Sequence, residues 1–288
     1  MPPRSSARSR GPRAGHAALL ALALLLGACQ GDRPSAQPAD AEPTPADGGG
    51  PGAPGTPTYR VEVVREYPHD RGAFTQGLEF HDGVLYESTG LEGQSSLRKV
   101  ELETGRVLQR QVVPPPHFAE GITVLDGKLY QLTWKSGRGF IYDPQTLALR
   151  DSFSYAGEGW GLTNDGTQLI LSDGSSRLRF LDPAGFRVTR TVEVTDGGLP
   201  VANLNELEYI DGEVWANVWQ TEWIARIDPA TGRVTGWVDV RGLLLPAERS
   251  GTEDVFNGIA YDRANQRLVV TGKFWPKLVE IRVRVPGG

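Results

Sequence analysis

Five stretches of this 288-residue chain place a polar or aromatic side chain before the same turn-like position, and these side chains could do chemistry. They are Gln76, Glu120, Trp160, Asn205 and Asn257. The residue that follows each is Gly77, Gly121, Gly161, Glu206 and Gly258, respectively. Because the side chain varies in type while the surrounding repeats agree, the pattern predicts a ring of side chains around a common centre. Glu120 is the only acid in that ring, which makes it the candidate for proton transfer.

A second set of side chains is predicted to reach the same face. Trp134 and Trp219 each lie 13 residues after the start of their repeat, and Lys273 falls just beyond the equivalent point in the last repeat. The second strand of a hairpin returns to the end at which the first begins, so both sets should meet. Aromatic walls, amides, one acid and one cation predict a small-ligand pocket at the mouth of a channel. Each residue alone also has a structural interpretation, such as packing or capping, but the shared position favours a site.

Short strands separated by turn signals must position these side chains. Asp82-Gly83, Asp126-Gly127 and Asp211-Gly212 predict hairpins, because the second turn residue needs a positive φ. The repeats start 44, 40, 45 and 52 residues apart, a period typical of four-stranded propeller blades. The fifth repeat supplies only three strands, and the unused strand from Tyr59 to Glu66 would complete it and leave no open edge. The prediction is an all-β, five-bladed β-propeller, closed by pairing of the N-terminal strand with the last blade.

The segment before this domain predicts export and anchoring. Four arginines precede an apolar run from Ala17 to Leu26 that is too short to span a membrane. Leu26-Gly27-Ala28-Cys29 resembles a bacterial lipoprotein box, so residues 1–28 are predicted to be a lipoprotein-type signal peptide and Cys29 the lipidation site. An ordinary signal peptide is the alternative. Residues 29–58 are rich in Pro, Ala and Gly and predict a disordered linker, followed by the propeller domain at 59–288.

Composition limits the partners. The net charge of −5 is not basic enough to suggest nucleic acid, and we expect a monomer. The single cysteine allows no disulfide within the mature chain, and the scattered histidines do not suggest a zinc site. We expect an exported bacterial lipoprotein of the cell envelope, facing the periplasm or the cell surface and bound to the membrane through the lipid on Cys29.

Longer motifs make the domain, from about Tyr59 to the C-terminus, similar to the plant-type glutaminyl cyclotransferases, a family found in plants and bacteria. The motifs include Phe74-Thr75-Gln76-Gly77-Leu78, Phe118-Ala119-Glu120-Gly121-Ile122-Thr123, Asn205-Glu206-Leu207-Glu208-Tyr209 and Thr271-Gly272-Lys273-Phe274-Trp275-Pro276-Lys277-Leu278. The resemblance implies a five-bladed propeller and a metal-independent active site that requires no cofactor. Some family members have a calcium ion on the propeller axis, so a structural calcium ion stays open. The implied functional positions are Gln76, Glu120, Trp134, Trp160, Asn205, Trp219 and Lys273.

The implied activity is that of a glutaminyl-peptide cyclotransferase, an acyltransferase that converts the N-terminal Gln of peptides or proteins to pyroglutamate and releases ammonia. Glu120 and Lys273 are expected to be catalytic, and Trp134, Trp160 and Trp219 to confine the substrate. Gln76, Asn205 and Lys273 are all candidates to hold the γ-carbonyl oxygen. Two alternatives remain: a non-catalytic envelope propeller that binds peptides, and a calcium-dependent propeller hydrolase. The hydrolase would need several carboxylates on the ring, where Glu120 is the only one.

Overall fold

The computed structural model describes residues 51–52 and 55–284. The predicted signal peptide, Cys29 and most of the predicted linker lie outside the described residues. Within the described part, no helix is long and apolar enough to cross a membrane. The first strand begins at Thr58, and the residues just before it already contact the domain, since Trp237 N donates to Pro57 O at 2.9 Å.

The regular secondary structure of the described chain is almost entirely β-strand. The first strands along the chain are β1 (Thr58–Pro68), β2 (Thr75–His81), β3 (Val84–Thr89), β4 (Ser96–Glu101), β5 (Arg106–Val112), β6 (Ala119–Leu125), β7 (Lys128–Thr133), β8 (Arg138–Tyr142), β9 (Leu149–Ser154), β10 (Leu162–Asn164) and β11 (Leu169–Leu171). The others are β12 (Arg177–Leu181), β13 (Val188–Glu193), β14 (Thr195–Asp196), β15 (Leu199–Pro200), β16 (Leu204–Ile210), β17 (Glu213–Val218), β18 (Trp223–Ile227), β19 (Val234–Asp239), β20 (Phe256–Asp262), β21 (Arg267–Gly272) and β22 (Lys277–Arg284). A 3-10 helix spans Pro246–Glu248.

These strands form antiparallel meanders. β2–β5, β6–β9 and β10–β13 each make a four-stranded sheet, and a larger sheet has the order β16-β17-β18-β19-β1-β22-β21-β20. The predicted hairpin turns are confirmed: Asp82 and Gly83, for example, have φ of 49° and 75°, as a two-residue turn of this kind requires.

The N-terminal strand closes the fold. β1 pairs antiparallel with β22, from Arg60 opposite Arg284 to Pro68 opposite Lys277. Its start also pairs parallel with β19, through Thr58 opposite Trp237, a contact that the sequence analysis did not include. β1 therefore covers the edges of two neighbouring meanders, and neither β19 nor β22 is left unpaired at this seam.

The inner strands β2, β6, β10, β16 and β20 surround the centre of the fold. Each contacts the next along the chain, and β20 contacts β2. Glycine allows this approach: a Cβ on Gly77 would lie 2.8 Å from Ile122 N, and one on Gly121 would lie 2.4 Å from Leu162 N. Backbone meets backbone at these positions, so no side chain fits. The result is an all-β, propeller-like fold with a nearly closed arrangement of sheets.

The fourth inner strand differs, because Glu206 stands where the others have glycine. Its buried carboxylate accepts hydrogen bonds from Leu78 N at 3.3 Å and from Ile259 N at 2.8 Å. Burial raises the pKa of Glu206 well above its ordinary value, although these two N–H groups oppose the shift. One side chain of β16 thereby joins β2 and β20 at the centre of the fold.

The close approach of the inner strands predicts that Gly121→Ala is strongly destabilising. A methyl group 2.4 Å from Leu162 N would force the two strands apart, and overpacking of this kind costs about 1–3 kcal/mol of unfolding free energy. Urea unfolding followed by circular dichroism measures the loss. Gly185→Ala is the control, since the nearest atom to its Cβ is 3.9 Å away. Equal stability of the two variants would contradict this account of the packing.

Candidate active site

A β-bulge at the start of each of four inner strands aims the ring residues. The register with the neighbouring strand shifts between Thr75 and Gly77, between Ala119 and Ile122, between Leu204 and Leu207, and between Phe256 and Ile259. A bulge interrupts the alternation of side chains and redirects the extra residue. The bulges contain Gln76, Glu120, Asn205 and Asn257. At each bulge, the polar residue therefore departs from the regular alternation of side chains in the sheet.

Three of these side chains form a buried hydrogen-bonded chain. Asn257 Nδ2 donates to Gln76 Oε1 at 3.3 Å and to Thr75 O at 3.0 Å. Gln76 Nε2 in turn donates to Glu120 Oε1 at 3.3 Å. All three ring residues are buried, so each contact holds its neighbour in one orientation. Asn257 is thus the anchor of Gln76, and Gln76 contacts the acid directly.

The three candidate tryptophans form one aromatic wall, and a second acid joins two of them. Trp134 Nε1 and Trp160 Nε1 both donate to Glu158 Oε2, at 2.8 and 2.9 Å. The rings of Trp160 and Trp219 meet edge to face, with centroids 5.6 Å apart. The three indoles are half-buried, so they can both contact a ligand and keep the interior dry.

Lys273 and Asn205 complete the predicted set. Lys273 is buried, its Nζ lies 4.6 Å from the centroid of the Phe74 ring, and its backbone N donates to Val255 O at 2.9 Å. Asn205 is also buried, and its Oδ1 accepts no hydrogen bond from any residue in the described ranges. Lys273 therefore supplies a cation within electrostatic reach of Glu120.

The surroundings of Glu120 change its acidity. Burial raises the pKa of its carboxyl well above the ordinary value, the positive charge of Lys273 opposes this, and the negative charge of Glu158 adds to it. An acid of raised pKa exchanges protons nearer to neutral pH, which is where a general acid–base residue is most effective. The interaction with Lys273 also places the two predicted catalytic groups within electrostatic reach of each other.

Sequence reasoning missed three residues of this site. Glu120 is the only acid on the ring, but Glu158 is a second carboxylate in the same site, two residues before Trp160. Phe74 and Phe118 also contribute, since their rings meet edge to face at 5.9 Å and Phe118 contacts Trp134 at 5.7 Å. Two features of the sequence could have indicated these residues. In Glu158-Gly159-Trp160 the acid lies close to a ring tryptophan, and a phenylalanine lies two positions before Gln76 and before Glu120.

No group of three or more His, Cys, Asp or Glu side chains in residues 51–52 and 55–284 is arranged to hold a metal ion. Near the axis, both carboxylate oxygens of Glu206 already accept backbone N–H groups.

The fold and site together define a class: an all-β, propeller-like protein in which one buried carboxyl, Glu120, lies within electrostatic reach of Lys273 and of the glutamate that holds two indoles. Comparison with known proteins agrees. The sequence profile of the glutamine cyclotransferase family matches residues 35–283. A glutaminyl-peptide cyclotransferase from Arabidopsis thaliana is 47% identical over 230 residues, which cover 78% of this chain and 71% of the relative. The crystal structure of Myxococcus xanthus glutaminyl cyclase is 40% identical, with a TM-score of 0.75, covering 79% of this chain and 98% of that one. The chain belongs to the glutamine cyclotransferase family, which confirms the predicted resemblance.

The raised pKa of Glu120 predicts a pH-dependent stability difference. The folded chain keeps a proton that an unfolded Glu loses above about pH 4.3, so this group costs stability as the pH rises through that value. Glu120→Gln removes the cost. The unfolding free energy of the variant relative to the wild-type chain should therefore increase with pH, by up to about 1.4 kcal/mol per pH unit. Urea unfolding at a series of pH values measures it.

Glu87 is the matched control for this experiment. Glu87 is equally buried. Burial raises its pKa, but His69 and Arg98 outweigh this effect and hold the pKa of Glu87 below its ordinary value. Its contribution to stability is present above about pH 4.3 and is lost as the pH falls. Glu87→Gln should lose stability relative to the wild-type chain as the pH rises through the acid range. A Glu120 variant with the same trend as Glu87→Gln would show that burial does not dominate at Glu120.

Proposed function

We propose that this chain is a glutaminyl-peptide cyclotransferase, which converts the N-terminal Gln of peptides or proteins to pyroglutamate and releases ammonia. The observation that carries the proposal is the 3.3 Å contact between Gln76 Nε2 and Glu120 Oε1, which holds one acid–base group in a site walled by three indoles. Membership of the family supports the same activity.

The reaction needs correct placement more than a strong nucleophile. The substrate's α-amine attacks its own γ-carboxamide carbon; the new C–N bond closes the ring and the bond to the amide nitrogen breaks. Both reacting groups belong to one residue, so the enzyme must fold the side chain back on itself. Placement of this kind can supply about 7–11 kcal/mol of the barrier. We propose that Trp134, Trp160 and Trp219 confine the side chain in its cyclic shape.

Glu120 moves the protons. The α-amine has a pKa of roughly 8 and is mostly protonated at neutral pH, so a base must take a proton before or during attack. The leaving group must depart as ammonia rather than as an amide anion, so it needs a proton. We propose that Glu120 accepts the first proton and donates the second, since the attacking and the leaving nitrogen are bonded to the same tetrahedral carbon. Gln76 orients Glu120 by donating to its Oε1.

The remaining polar groups hold the carboxamide. Lys273, buried and within electrostatic reach of Glu120, is suited to stabilise the negative charge that grows on the γ-carbonyl oxygen. One donor of this type is typically worth about 2.7–4 kcal/mol of transition-state stabilisation. The buried Asn205 Oδ1 accepts no hydrogen bond within the described part of the chain, and we assign it to an N–H of the substrate carboxamide. In this proposal Gln76 orients Glu120 and does not hold the γ-carbonyl oxygen.

We also propose that the propeller-like fold has five blades. The three four-stranded sheets supply three of them. The eight-stranded sheet supports two more, because its halves meet only through β1, which pairs parallel with β19 and antiparallel with β22. In this assignment β1 is the outermost strand of the last blade, and the catalytic domain spans residues 59–288.

We propose that the enzyme is exported and held at the cell envelope by a lipid on Cys29, facing the periplasm or the cell surface. Residues 1–28 would be removed as a signal peptide, and residues 29–58 would separate the domain from the membrane. The support is the arginine-rich start, the short apolar run and the Leu-Gly-Ala-Cys ending at Cys29. The substrates would be exported peptides or proteins with an N-terminal Gln, met by a monomeric enzyme.

The proposed role of Glu120 predicts that Glu120→Gln loses turnover by about 10²–10⁴-fold, the usual contribution of general acid–base catalysis. Ammonia release from Gln-Ala peptides measures the rate, with Asn-Ala and Glu-Ala as substrate controls. Glu208→Gln is the control variant, because Glu208 is a buried carboxyl of raised pKa on β16, toward the end of that strand remote from Asn205. A near-native rate for Glu120→Gln would remove Glu120 from the mechanism.

Because the proposed mechanism uses no metal ion, we expect chelators not to inactivate the enzyme. Prolonged treatment with EDTA or dipicolinate should leave ammonia release within about two-fold of the untreated enzyme, since proton transfer and charge stabilisation come from side chains. Metal analysis before and after treatment establishes that any ion was removed. Inactivation that zinc or calcium reverses would contradict the proposal.

A further inference from the structure

We propose that Glu158 is a positioning residue of the reaction, which clamps the indoles of Trp134 and Trp160 with one carboxylate and keeps a negative charge beside Glu120. The inference rests on the proposed function and extends it to a residue outside the ring. Glu158 is two residues from Trp160 in the chain but is 24 residues from Trp134.

The clamp joins two different sheets. Trp134 follows β7 of the sheet β6–β9, and Trp160 precedes β10 of the next sheet. Both indole N–H groups donate to the same oxygen, Glu158 Oε2, at 2.8 and 2.9 Å. Hydrogen bonds to a carboxylate are shorter and about twice as strong as those between neutral groups. Neither indole can rotate about its side-chain bonds without losing its hydrogen bond to Glu158. One residue therefore fixes the two indoles relative to each other.

The backbone around Glu158 is held independently of its carboxylate. Gly159 N donates to Trp134 O at 3.0 Å, which attaches the loop to the strand end that bears the first indole. Arg179 Nη2 donates to Glu158 O at 2.8 Å, and Arg179 is paired with Asp173 at 3.3 Å. The carboxylate is therefore presented by a fixed backbone, and a variant of its side chain should not unfold the loop.

The charge of Glu158 acts on the acid of the ring. Glu120 is buried and lies within electrostatic reach of both Lys273 and Glu158; the positive charge lowers the pKa of Glu120 and the negative charge raises it. Tyr155 is also near Glu120, but its own pKa is raised to about 12, mainly by burial, so it stays neutral. The other charged groups around Glu158 are Arg179, Asp173 and Lys135, whose Nζ lies 3.9 Å from the centroid of the Trp134 ring.

Two variants separate the clamp from the charge. Glu158→Gln keeps a carbonyl oxygen that can accept both indole N–H groups and loses only the charge. Glu158→Leu, of similar size, loses both. The pH dependence of kcat/KM with a Gln-led peptide reports the acidity of Glu120, because the substrate is the same in every comparison and its own amine contributes equally. Tryptophan fluorescence reports the indole environment without any turnover.

Glu158→Gln should move the acidic limb of the kcat/KM profile to lower pH by about 0.5–1 unit, since removing a like charge stabilises the ionised form of Glu120. Its KM should stay within about two-fold. Glu158→Leu should show the same shift, a KM raised at least about ten-fold and an altered tryptophan emission. Glu213→Gln is the control: it removes a half-buried carboxylate paired with Arg226 at 2.6 Å, at the end of β17 opposite Trp219.

An acidic limb that stays in place in Glu158→Gln would overturn the electrostatic part of the proposal. A Glu158→Leu variant with wild-type KM and emission would overturn the clamp. If the wild-type enzyme releases no ammonia from any Gln-led peptide, the proposed function fails instead, and the comparison of emission spectra alone then decides on the clamp. If Glu158→Leu does not fold, Glu158→Gln still tests the charge.

Discussion

Backbone contact between the inner strands is the constraint on which the rest of the structure depends. At Gly121 and its equivalents the neighbouring strand comes so near that no Cβ fits, and at Glu206 a buried carboxylate bonds to the backbones of β2 and β20. Four of the five inner strands have a bulge there. The residue before the glycine is thereby turned out of the pleat, which is how Gln76 and Glu120 come to share a site.

The chemistry of the site follows from a balance of charges where water is scarce. Burial raises the pKa of Glu120, the positive charge of Lys273 lowers it, and the negative charge of Glu158 raises it further. A carboxyl held between such opposing influences can accept a proton and return it during one reaction. Because Glu120 is buried, each of these influences is stronger than it would be in water.

Local sequence patterns predicted much of this molecule because the causes are local. Asp-Gly pairs such as Asp82-Gly83 predict hairpins through the backbone conformation that they require. The recurring Gln76, Glu120, Asn205 and Asn257 positions were found because each repeat places them at the same bulge. Glu158 was missed because nothing local links it to Trp134, 24 residues earlier. The parallel contact of β1 with β19 was missed because the sequence analysis used the N-terminal strand only to complete the last blade.

The sequence by itself determined the class of fold, the family and the identity of the ring, because turn chemistry, strand alternation and repeat length are properties of neighbouring residues. Only the tertiary structure decided which ring members touch, how acidic Glu120 is and which carboxylate holds the indoles. Those properties depend on burial and on distances between separate strands. The same glutamate at the surface would be an ordinary acid; burial beside Lys273 and Glu158 raises its pKa well above the ordinary value.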